Sequence, residues 1–490
     1  MTRSLDRLTL TAPIGSALWR GALAGWAGGL VFAMAMLRLG GMLPTIAGLA
    51  GSDATGAGLA VHAVASVLIG VLFALLVGAR RSGPGELIFW GLAYGATWWL
   101  LGALTLLPLL RGDSVHWDLP AVQAAYPSLL GHLAYGAVAA AVLVCLGNAA
   151  DVGRPTVGAR SRGVIAGALA ATWLLVALDW AGMSAAAGVT GPGVMRWMLA
   201  LGLGGLAGLT YAVLYPRPRG AIGPGLVRGL SFGFLAWVAL PMTLVPVLAG
   251  SQLPWGLEAA RLRAPALPAT LLAGVLFVAL YRLFTGLVGV ALADDPRELA
   301  DEGVGTRALR GLARGTAAGL VGGALFTVVV VQVGDLGRIA GLVGGASTGV
   351  GLTVHLFISV VLGASYGVAF RKEGSDGEAA LGWGLSYGLL WWLLGGLTLL
   401  PVLLGQPPAW SASAIAAAFP SLIGHLAYGA GLGLTLAWLE RRSNPWWTAT
   451  TPARARRAQL GHARSAATGP GLWTVSSVVV LSILTLTAGG

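Results

Sequence analysis

The stretch VASVLIGVLFALLVG, residues 64–78, contains no charged side chain. Together with the apolar residues before it, the stretch exceeds about 20 residues, which is the length of α-helix needed to cross about 30 Å of hydrocarbon. Backbone N–H and C=O groups have no water to bind in lipid, so a segment of this kind must be helical. The stretch therefore predicts a membrane-spanning helix.

Comparable apolar stretches recur along the 490 residues, as in LVFAMAML at 30–37 and LVGGALFTVVVVQVG at 320–334. The chain is 56% hydrophobic and 10% charged, with a mean hydropathy of +0.80. Soluble domains carry roughly a quarter charged residues. The composition predicts an all-α, polytopic transmembrane protein embedded in the lipid bilayer, with thirteen spans.

The net charge of +12 would suggest nucleic-acid binding in a soluble protein, but here the basic residues separate apolar segments. With thirteen spans and a cytoplasmic N-terminus, 24 of the 30 Lys and Arg residues fall on the cytoplasmic side. This bias follows the positive-inside rule. It predicts a multi-pass protein of the cytoplasmic (inner) membrane, with an uncleaved first helix, the C-terminus outside and no nucleic-acid partner.

An internal repeat is the strongest pattern in the sequence. At a shift of 293 residues, WWLLGALTLLP at 98 meets WWLLGGLTLLP at 391, and PSLLGHLAYG at 127 meets PSLIGHLAYG at 420. The ungapped match gives 31 identities over the 48 positions from Trp90 to Ala137. Similarity at a fixed period indicates repeated structural units.

A third, degenerate copy lies between these two, at a shift of 138. Trp255 there meets Trp117, and the positions of two histidines become Ala200 and Thr270. Each copy contains four apolar spans, so the sequence predicts three tandem four-helix repeats that insert in the same direction. The predicted domains are repeat 1 at 1–150, degenerate repeat 2 at 151–292, repeat 3 at 293–440, and a basic linker with a C-terminal span at 441–490.

Paired histidines mark repeats 1 and 3. Two helices of each repeat carry a histidine about five residues from the outer end, with small or aromatic residues on the same helical face at i+3, i+4 or i+8. Small residues beside a bulky one leave room for a neighbouring helix or for a flat ligand. We expect the two imidazoles to face a common space. In repeat 1 these residues are His62, Ser66, Gly70, His132, Tyr135 and Gly136, and in repeat 3 they are His355, Ser359, Gly363, His425, Tyr428 and Gly429.

Two facing imidazoles suit an axially ligated b-type haem, since small residues beside them would admit the ring. On this hypothesis repeats 1 and 3 each bind one haem b through His62 and His132 and through His355 and His425. The protein would then be a non-catalytic electron-transfer subunit with a membrane redox partner or a quinone. A zinc site is not supported, because zinc needs three or four ligands and no carboxylate or cysteine accompanies either pair.

Two alternatives stay open. The histidines could hydrogen-bond to neighbouring helices and hold a scaffold subunit together, or they could titrate and line a path for protons or a solute, as in an acid-tolerance or permeation protein. The joint loss of both histidines in the middle copy favours a pair that acts together, but it does not choose between these chemistries. Nothing resembles a hydrolase or transferase site, so we do not expect an enzyme.

Three other features are weaker candidates. Asp179 is the acidic residue most expected at membrane depth, and an interfacial position is its simplest interpretation. The tryptophans at 98, 99, 391 and 392 could stack on a ring or serve as packing and interfacial anchors. The basic stretch 441–465 is expected to contact anionic lipid head groups.

The helix VHLFISVVLGASYGVAF, the LTLLP ending, an outer-loop Trp and the GHLAYG helix together resemble the YagU-type inner-membrane protein family. The resemblance covers about 100 residues of each outer repeat and includes His62, Ser66, Gly131 and His132 with their repeat-3 counterparts His355, Ser359, Gly424 and His425. It implies single four-helix units associated with acid tolerance. Three fused units and a thirteenth span depart from that pattern.

Overall fold

A computed structural model describes residues 14–78, 82–149, 153, 155–187, 193–216, 222–291, 304–370, 377–442 and 469–487. Every regular element in these ranges is helical, so the all-α prediction is confirmed. The N-terminal residues 1–13, the joining stretch at 292–303 and the basic linker from residue 443 to 468 lie outside the described residues.

Twelve of the described helices are long and apolar enough to cross a membrane, which confirms a polytopic membrane protein. They are α1 (Ile14–Leu39), α2 (Thr55–Gly78), α3 (Pro84–Leu110), α4 (Tyr126–Cys145), α5 (Val157–Trp180), α6 (Gly193–Leu214), α7 (Ile222–Leu248), α8 (Ala266–Ala291), α9 (Val304–Val333), α10 (Thr348–Phe370), α11 (Ala379–Leu403) and α12 (Phe419–Arg442).

The thirteenth predicted span is shorter than expected. Helix α13 (Gly469–Thr485) has 17 residues and is apolar. At 1.5 Å per residue it is about 25 Å long, less than the hydrocarbon thickness of about 30 Å. The structure therefore gives twelve candidate spans and a short C-terminal apolar helix.

Contacts between Cα atoms divide the chain into two compact units. Unit 1 comprises Met1–Gly153 with Trp255–Leu257, and unit 2 comprises Arg154–Pro254 with Glu258–Gly490. Unit 1 contains α1–α4, and unit 2 contains α5–α13.

Unit 1 is a four-helix bundle in which α1 packs against both α2 and α4, and α4 also packs against α3. Glycines make these approaches close: a side chain on Gly70 would overlap the backbone of Gly25, and one on Gly136 would overlap the backbone of Gly91. Small residues that let helix backbones touch are the usual means of helix association in lipid, where no hydrophobic effect drives it.

The two ends of this bundle are packed differently. We call the end formed by residues 40–54 and 111–125 the upper end, and the end formed by residues 82–83 and 146–149 the lower end. A buried cluster that includes Ala24, Phe73, Ala74, Leu87, Ala139 and Ala140 fills the interior of the lower half. The upper half contains the histidines.

Unit 2 contains two helix groups that pack in the same order. In α5–α8 the first helix contacts the second and the fourth, and the third contacts the fourth; the same holds for α9–α12. Glycine contacts recur as well, since a side chain on Gly208 would overlap the backbone of Gly163, and one on Gly367 the backbone of Gly311. The short helix α13 lies against α7 and α11, where the hydroxyls of Ser386 and Thr474 are 2.7 Å apart.

The third helix of each group changes to a π-helix part-way along. The π segments are Trp99–Leu106 in α3, Leu240–Leu244 in α7 and Trp392–Leu399 in α11. A tryptophan on each of these helices donates from Nε1 to a backbone carbonyl just before the fourth helix. The pairs are Trp99 to Ala125 at 3.0 Å, Trp237 to Arg263 at 3.1 Å and Trp392 to Ala418 at 3.1 Å.

These bonds give Trp99 and Trp392 a structural role, which matches the interpretation of the tryptophans as packing residues. Both side chains are almost fully buried. Trp98 differs, because it faces the interior of the upper half of unit 1. π segments in membrane helices are frequent at functional sites, since the wider turn redirects the side chains that follow it.

Candidate functional site in the upper half of unit 1

His62 ties α2 to α1. Its Nε2 lies 3.0 Å from the carbonyl oxygen of Gly29 and 3.3 Å from the hydroxyl of Ser66. A carbonyl oxygen only accepts, so Nε2 carries the hydrogen and donates it to Gly29. Both His62 and Ser66 are buried.

His132 is held by its own helix. Its Nδ1 lies 2.7 Å from the carbonyl oxygen of Ser128, and 3.3 Å from the hydroxyl of the same serine. Nδ1 must therefore donate to the carbonyl. In a neutral imidazole the other nitrogen, Nε2, is then a hydrogen-bond acceptor.

Phe32 of α1 contacts both imidazoles. The centroid of its ring is 5.3 Å from that of His62, at an interplanar angle of 88°, and 4.8 Å from that of His132, at 61°. Both are edge-to-face contacts of the kind that aromatic rings favour. The two histidines therefore share one neighbour, and we call Phe32, His62 and His132 the first cluster.

Gly131 makes room for this ring. A Cβ atom at position 131 would overlap the Phe32 ring. The Gly–His pair of the repeated GHLAYG sequence thus has a physical explanation: the glycine lies against the phenylalanine, and the histidine that follows contacts the same ring.

Unit 2 contains a second cluster of the same composition, formed by Phe326, His355 and His425. The ring centroid of Phe326 is 5.0 Å from that of His355 and 4.4 Å from that of His425. His355 Nε2 lies 3.3 Å from the carbonyl of Gly323, and His425 Nδ1 lies 2.8 Å from that of Ser421. One detail differs, since the Ser359 hydroxyl donates to the His355 backbone carbonyl at 2.9 Å.

One predicted tyrosine lies beside each cluster. Tyr135 Oη donates to the Ser66 carbonyl at 2.7 Å, and Tyr428 Oη donates to the Ser359 carbonyl at 2.8 Å. These bonds link the fourth helix of each group to the second. All eight of the predicted residues named His, Ser or Tyr therefore lie in or beside the clusters.

The four predicted glycines lie elsewhere. Gly70 and Gly136 contact the backbones of α1 and α3, and Gly363 and Gly429 contact those of α9 and α11. Of the two roles expected for these small residues, room for a neighbouring helix or for a flat ligand, the structure shows the first.

A cavity of about 590 Å³ opens beside the first cluster, in the upper half of unit 1. Its polar lining consists of Thr45, His62, Ser66, Ser128, His132 and Tyr135, and none of the described residues that line it is charged. The apolar part of the lining includes Phe32, Met36, Met42 and Trp98.

The middle group α5–α8 has a different interior. Ala200 and Thr270 stand where the outer copies have histidines, and both line a cavity of about 110 Å³ together with Leu174 and Phe277. Helices α5 and α1 can be aligned on the glycines with which each contacts the second helix of its group. In this alignment Leu174 stands at the position of Phe32. The whole cluster is therefore replaced here, phenylalanine included.

Sequence reasoning missed Phe32 and Phe326. The ungapped shift of 293 pairs Phe32 with Leu325, but the first helices correspond at a shift of 294, because the segment between the first two helices is one residue shorter in the third copy. The signal that reveals this is a run of identities in α1 and α9 at the larger shift: Arg20, Gly21, Ala24, Gly25, Gly28, Gly29 and Phe32 match Arg314, Gly315, Ala318, Gly319, Gly322, Gly323 and Phe326.

The clusters do not fit a haem between their imidazoles. Axial ligation needs one nitrogen of each ring on either side of a porphyrin, yet the Phe32 ring contacts both rings and is itself seated on Gly131. The His62 Nε2–H is also engaged by Gly29.

Asp179 lies near the end of α5 and is exposed. It forms an ion pair with Arg196 and accepts a hydrogen bond from the Ser184 hydroxyl at 2.6 Å, at the end of α5. Its charge is therefore balanced locally, and it does not take part in either cluster.

Comparisons with protein-family models, with characterised proteins and with solved structures found no match to the chain.

Proposed function

We propose that this protein binds a small uncharged molecule in the cavity of unit 1, as a solute-handling protein of the membrane. The observation that carries the proposal is the cavity of about 590 Å³ onto which both histidines of the first cluster face. Apolar walls with a few convergent polar groups are typical of small-molecule sites.

The lining supports an uncharged ligand. A charged solute in a low-dielectric interior needs an opposite charge or a dense set of hydrogen bonds. Among the residues that the structure describes, no charged side chain lines this cavity. Ordinary ion-coupled transport usually relies on buried carboxylates. The alternative of a conduit for protons or ions therefore has less support than a site for a neutral molecule.

Access from one end is supported by the packing of the bundle. The buried cluster around Phe73, Leu87 and Ala140 fills the lower half, and Gly91 and Gly136 bring α3 and α4 into contact there. The upper half contains the cavity. A ligand would enter and leave through the upper half, and passage to the lower end would need a rearrangement of the bundle.

The same proposal includes three tandem four-helix repeats, with the boundaries given by the sequence at 1–150, 151–292 and 293–440, and a C-terminal segment at 441–490. The recurring helix order, the three Trp-to-carbonyl bonds and the three π segments support this division. The placement of 24 of the 30 Lys and Arg residues on one side of the predicted spans supports a cytoplasmic-membrane protein with its N-terminus in the cytoplasm.

A scaffold role is the second candidate. It is favoured by the hydrogen bonds from His62 to Gly29 and from Tyr135 to Ser66, which hold neighbouring helices together without any ligand. A haem-carrying electron-transfer subunit is not part of the proposal, because Phe32 lies against both imidazoles.

The test uses a cysteine placed in the cavity wall. In a Cys145→Ala background, which removes the single native cysteine, we expect the Ala103→Cys variant to react with methyl methanethiolsulfonate, a small uncharged thiol reagent. The matched control is Ala140→Cys, because Ala140 is fully buried in the lower half.

The expected result is a reaction at Ala103→Cys that is much faster than at Ala140→Cys and that slows when naphthalene is added. Equal rates at the two positions, or a rate at Ala103→Cys that naphthalene leaves unchanged, would contradict a solute site and favour the scaffold role.

A further inference from the structure

Three of the donors that line the unit 1 cavity are already used within the protein. His62 Nε2–H donates to the Gly29 carbonyl, and the Tyr135 hydroxyl donates to the Ser66 carbonyl. The Thr45 hydroxyl donates to the Gly41 carbonyl at 3.2 Å. A ligand that only accepts hydrogen bonds would find these groups engaged.

His132 offers the opposite chemistry. Its Nδ1–H is bonded to the Ser128 carbonyl, which leaves the lone pair on Nε2. Nδ1 and Nε2 lie on either side of Cε1, so the lone pair of Nε2 is directed away from the Ser128 backbone. His132 also lines the cavity. In unit 2 the corresponding Cε1 of His425 lies 3.6 Å from where a Cβ on Gly396 would be, and Gly396 is the counterpart of the cavity residue Ala103.

The remaining walls favour a flat, apolar body. Phe32 and Trp98 offer aromatic surfaces, while Met36 and Met42 offer polarizable side chains that adapt to a ligand's shape. Leu49, Leu106 and Leu110 also line the cavity and are themselves exposed, Leu110 to 70%. Exposed leucines beside the cavity suit a ligand that arrives from the hydrocarbon phase rather than from water.

We infer that the unit 1 cavity recognises an uncharged, ring-containing, lipid-soluble molecule that bears a hydroxyl group, with His132 Nε2 as the acceptor of that hydroxyl's hydrogen. This inference rests on the proposed solute site and adds the class of ligand to it. Phenols, naphthols and quinols have this chemistry. His132 is the specificity-determining residue, and His62 is a positioning residue that holds α2 against α1.

The experiment compares three naphthalene derivatives as protectants of Ala103→Cys, in the Cys145→Ala background and the full chain in lipid nanodiscs. 1-Naphthol can donate a hydrogen bond, 1-methoxynaphthalene has nearly the same shape but no donor, and 1-naphthoate carries a charge. The readout is the concentration of each compound that halves the rate of reaction with methyl methanethiolsulfonate.

We expect 1-naphthol to protect at a concentration about tenfold lower than 1-methoxynaphthalene, as one hydrogen bond to a desolvated acceptor would give. His132→Leu should abolish this preference by removing the acceptor. The matched change His425→Leu, in the second cluster, should leave the preference at Ala103→Cys intact. 1-Naphthoate should protect least.

Each other outcome decides something. Equal protection by 1-naphthol and 1-methoxynaphthalene in the protein that keeps His132, or best protection by 1-naphthoate, overturns the ligand class while the proposed solute site stands. Protection by none of the three compounds removes the solute site itself. The comparison in the His132 protein needs no histidine variant, so a folding failure of His132→Leu does not leave the inference untested.

Discussion

Phe32 lies directly on Gly131, so closely that a single added carbon at position 131 would overlap its ring. The same relationship joins Phe326 to Gly424 in unit 2. In both places the residue after the glycine is a histidine whose ring contacts the phenylalanine ring. The glycine therefore sets the distance between the first and fourth helices at the level of the cluster.

Gly131→Ala should destabilise the protein by about 1–3 kcal/mol, because the added methyl group forces the Phe32 ring or the helix to move. Thermal unfolding in detergent, followed by intrinsic tryptophan fluorescence, measures the effect. Gly56→Ala is the matched control, since a Cβ at position 56 meets no atom within 4 Å.

The middle helix group suggests the compensating change. It has Leu174 and Ala269 at the positions of Phe32 and Gly131. We expect Phe32→Leu to recover part of the stability lost in Gly131→Ala. The double variant should then lose less stability than the two single variants lose when their losses are added. Strict additivity in a double-mutant cycle would show that the two residues do not interact.

Tyr135→Phe and Tyr428→Phe should each cost about 1 kcal/mol of stability, because each removes one hydrogen bond to a buried carbonyl. The loss should be similar in the two variants, since the bonds are 2.7 Å and 2.8 Å long. The measurement is the midpoint of unfolding in detergent. A large loss for one variant alone would mean that the two clusters are not equivalent in strength.

Purified protein from a haem-replete host should show no Soret band and no change in the visible spectrum on addition of dithionite. The physical reason is that the Phe32 and Phe326 rings contact the imidazoles of both pairs. A Soret band that disappears in His62→Ala or His132→Ala would require these rings to move and would restore the haem hypothesis.

Cys145 offers a test of orientation. It is exposed at the lower end of α4 and is the single cysteine of the chain. If the lower end faces the cytoplasm, a membrane-impermeant maleimide should label Cys145 in inside-out vesicles but not in right-side-out vesicles. Ser114→Cys in a Cys145→Ala background, at the exposed upper end, should show the reverse pattern.

The spans themselves follow from the sequence because lipid leaves little choice: an uncharged run of 20 residues must be helical, and its ends are marked by charges, glycines and prolines. The pairing of His62 with His132 followed from their equal depth and from the repeat. Both inferences use length and spacing, which a single sequence supplies.

Phe32 could not be identified in this way. In a membrane helix the lipid-facing and interior faces are both apolar, so a phenylalanine directed at a histidine looks like one directed at lipid. The first helices correspond at a shift that is one residue larger than the shift of the remaining helices. For this reason the match between Phe32 and Phe326 was hidden. The π segments were equally invisible, since the sequence WWLLGALTLLP satisfies the composition of an ordinary α-helix.

The glycine contacts between neighbouring helices have a consequence for how such a protein can diversify. Gly163 and Gly208 maintain their backbone approach in the middle helix group, although Leu174, Ala200 and Thr270 have replaced the aromatic and imidazole rings above them. The glycines that make the close helix contacts in unit 1 lie outside the lining of its cavity. The residues inside one helix group can therefore change, so that a large cavity becomes a small apolar one, while the other groups keep their interior residues and the chain still folds.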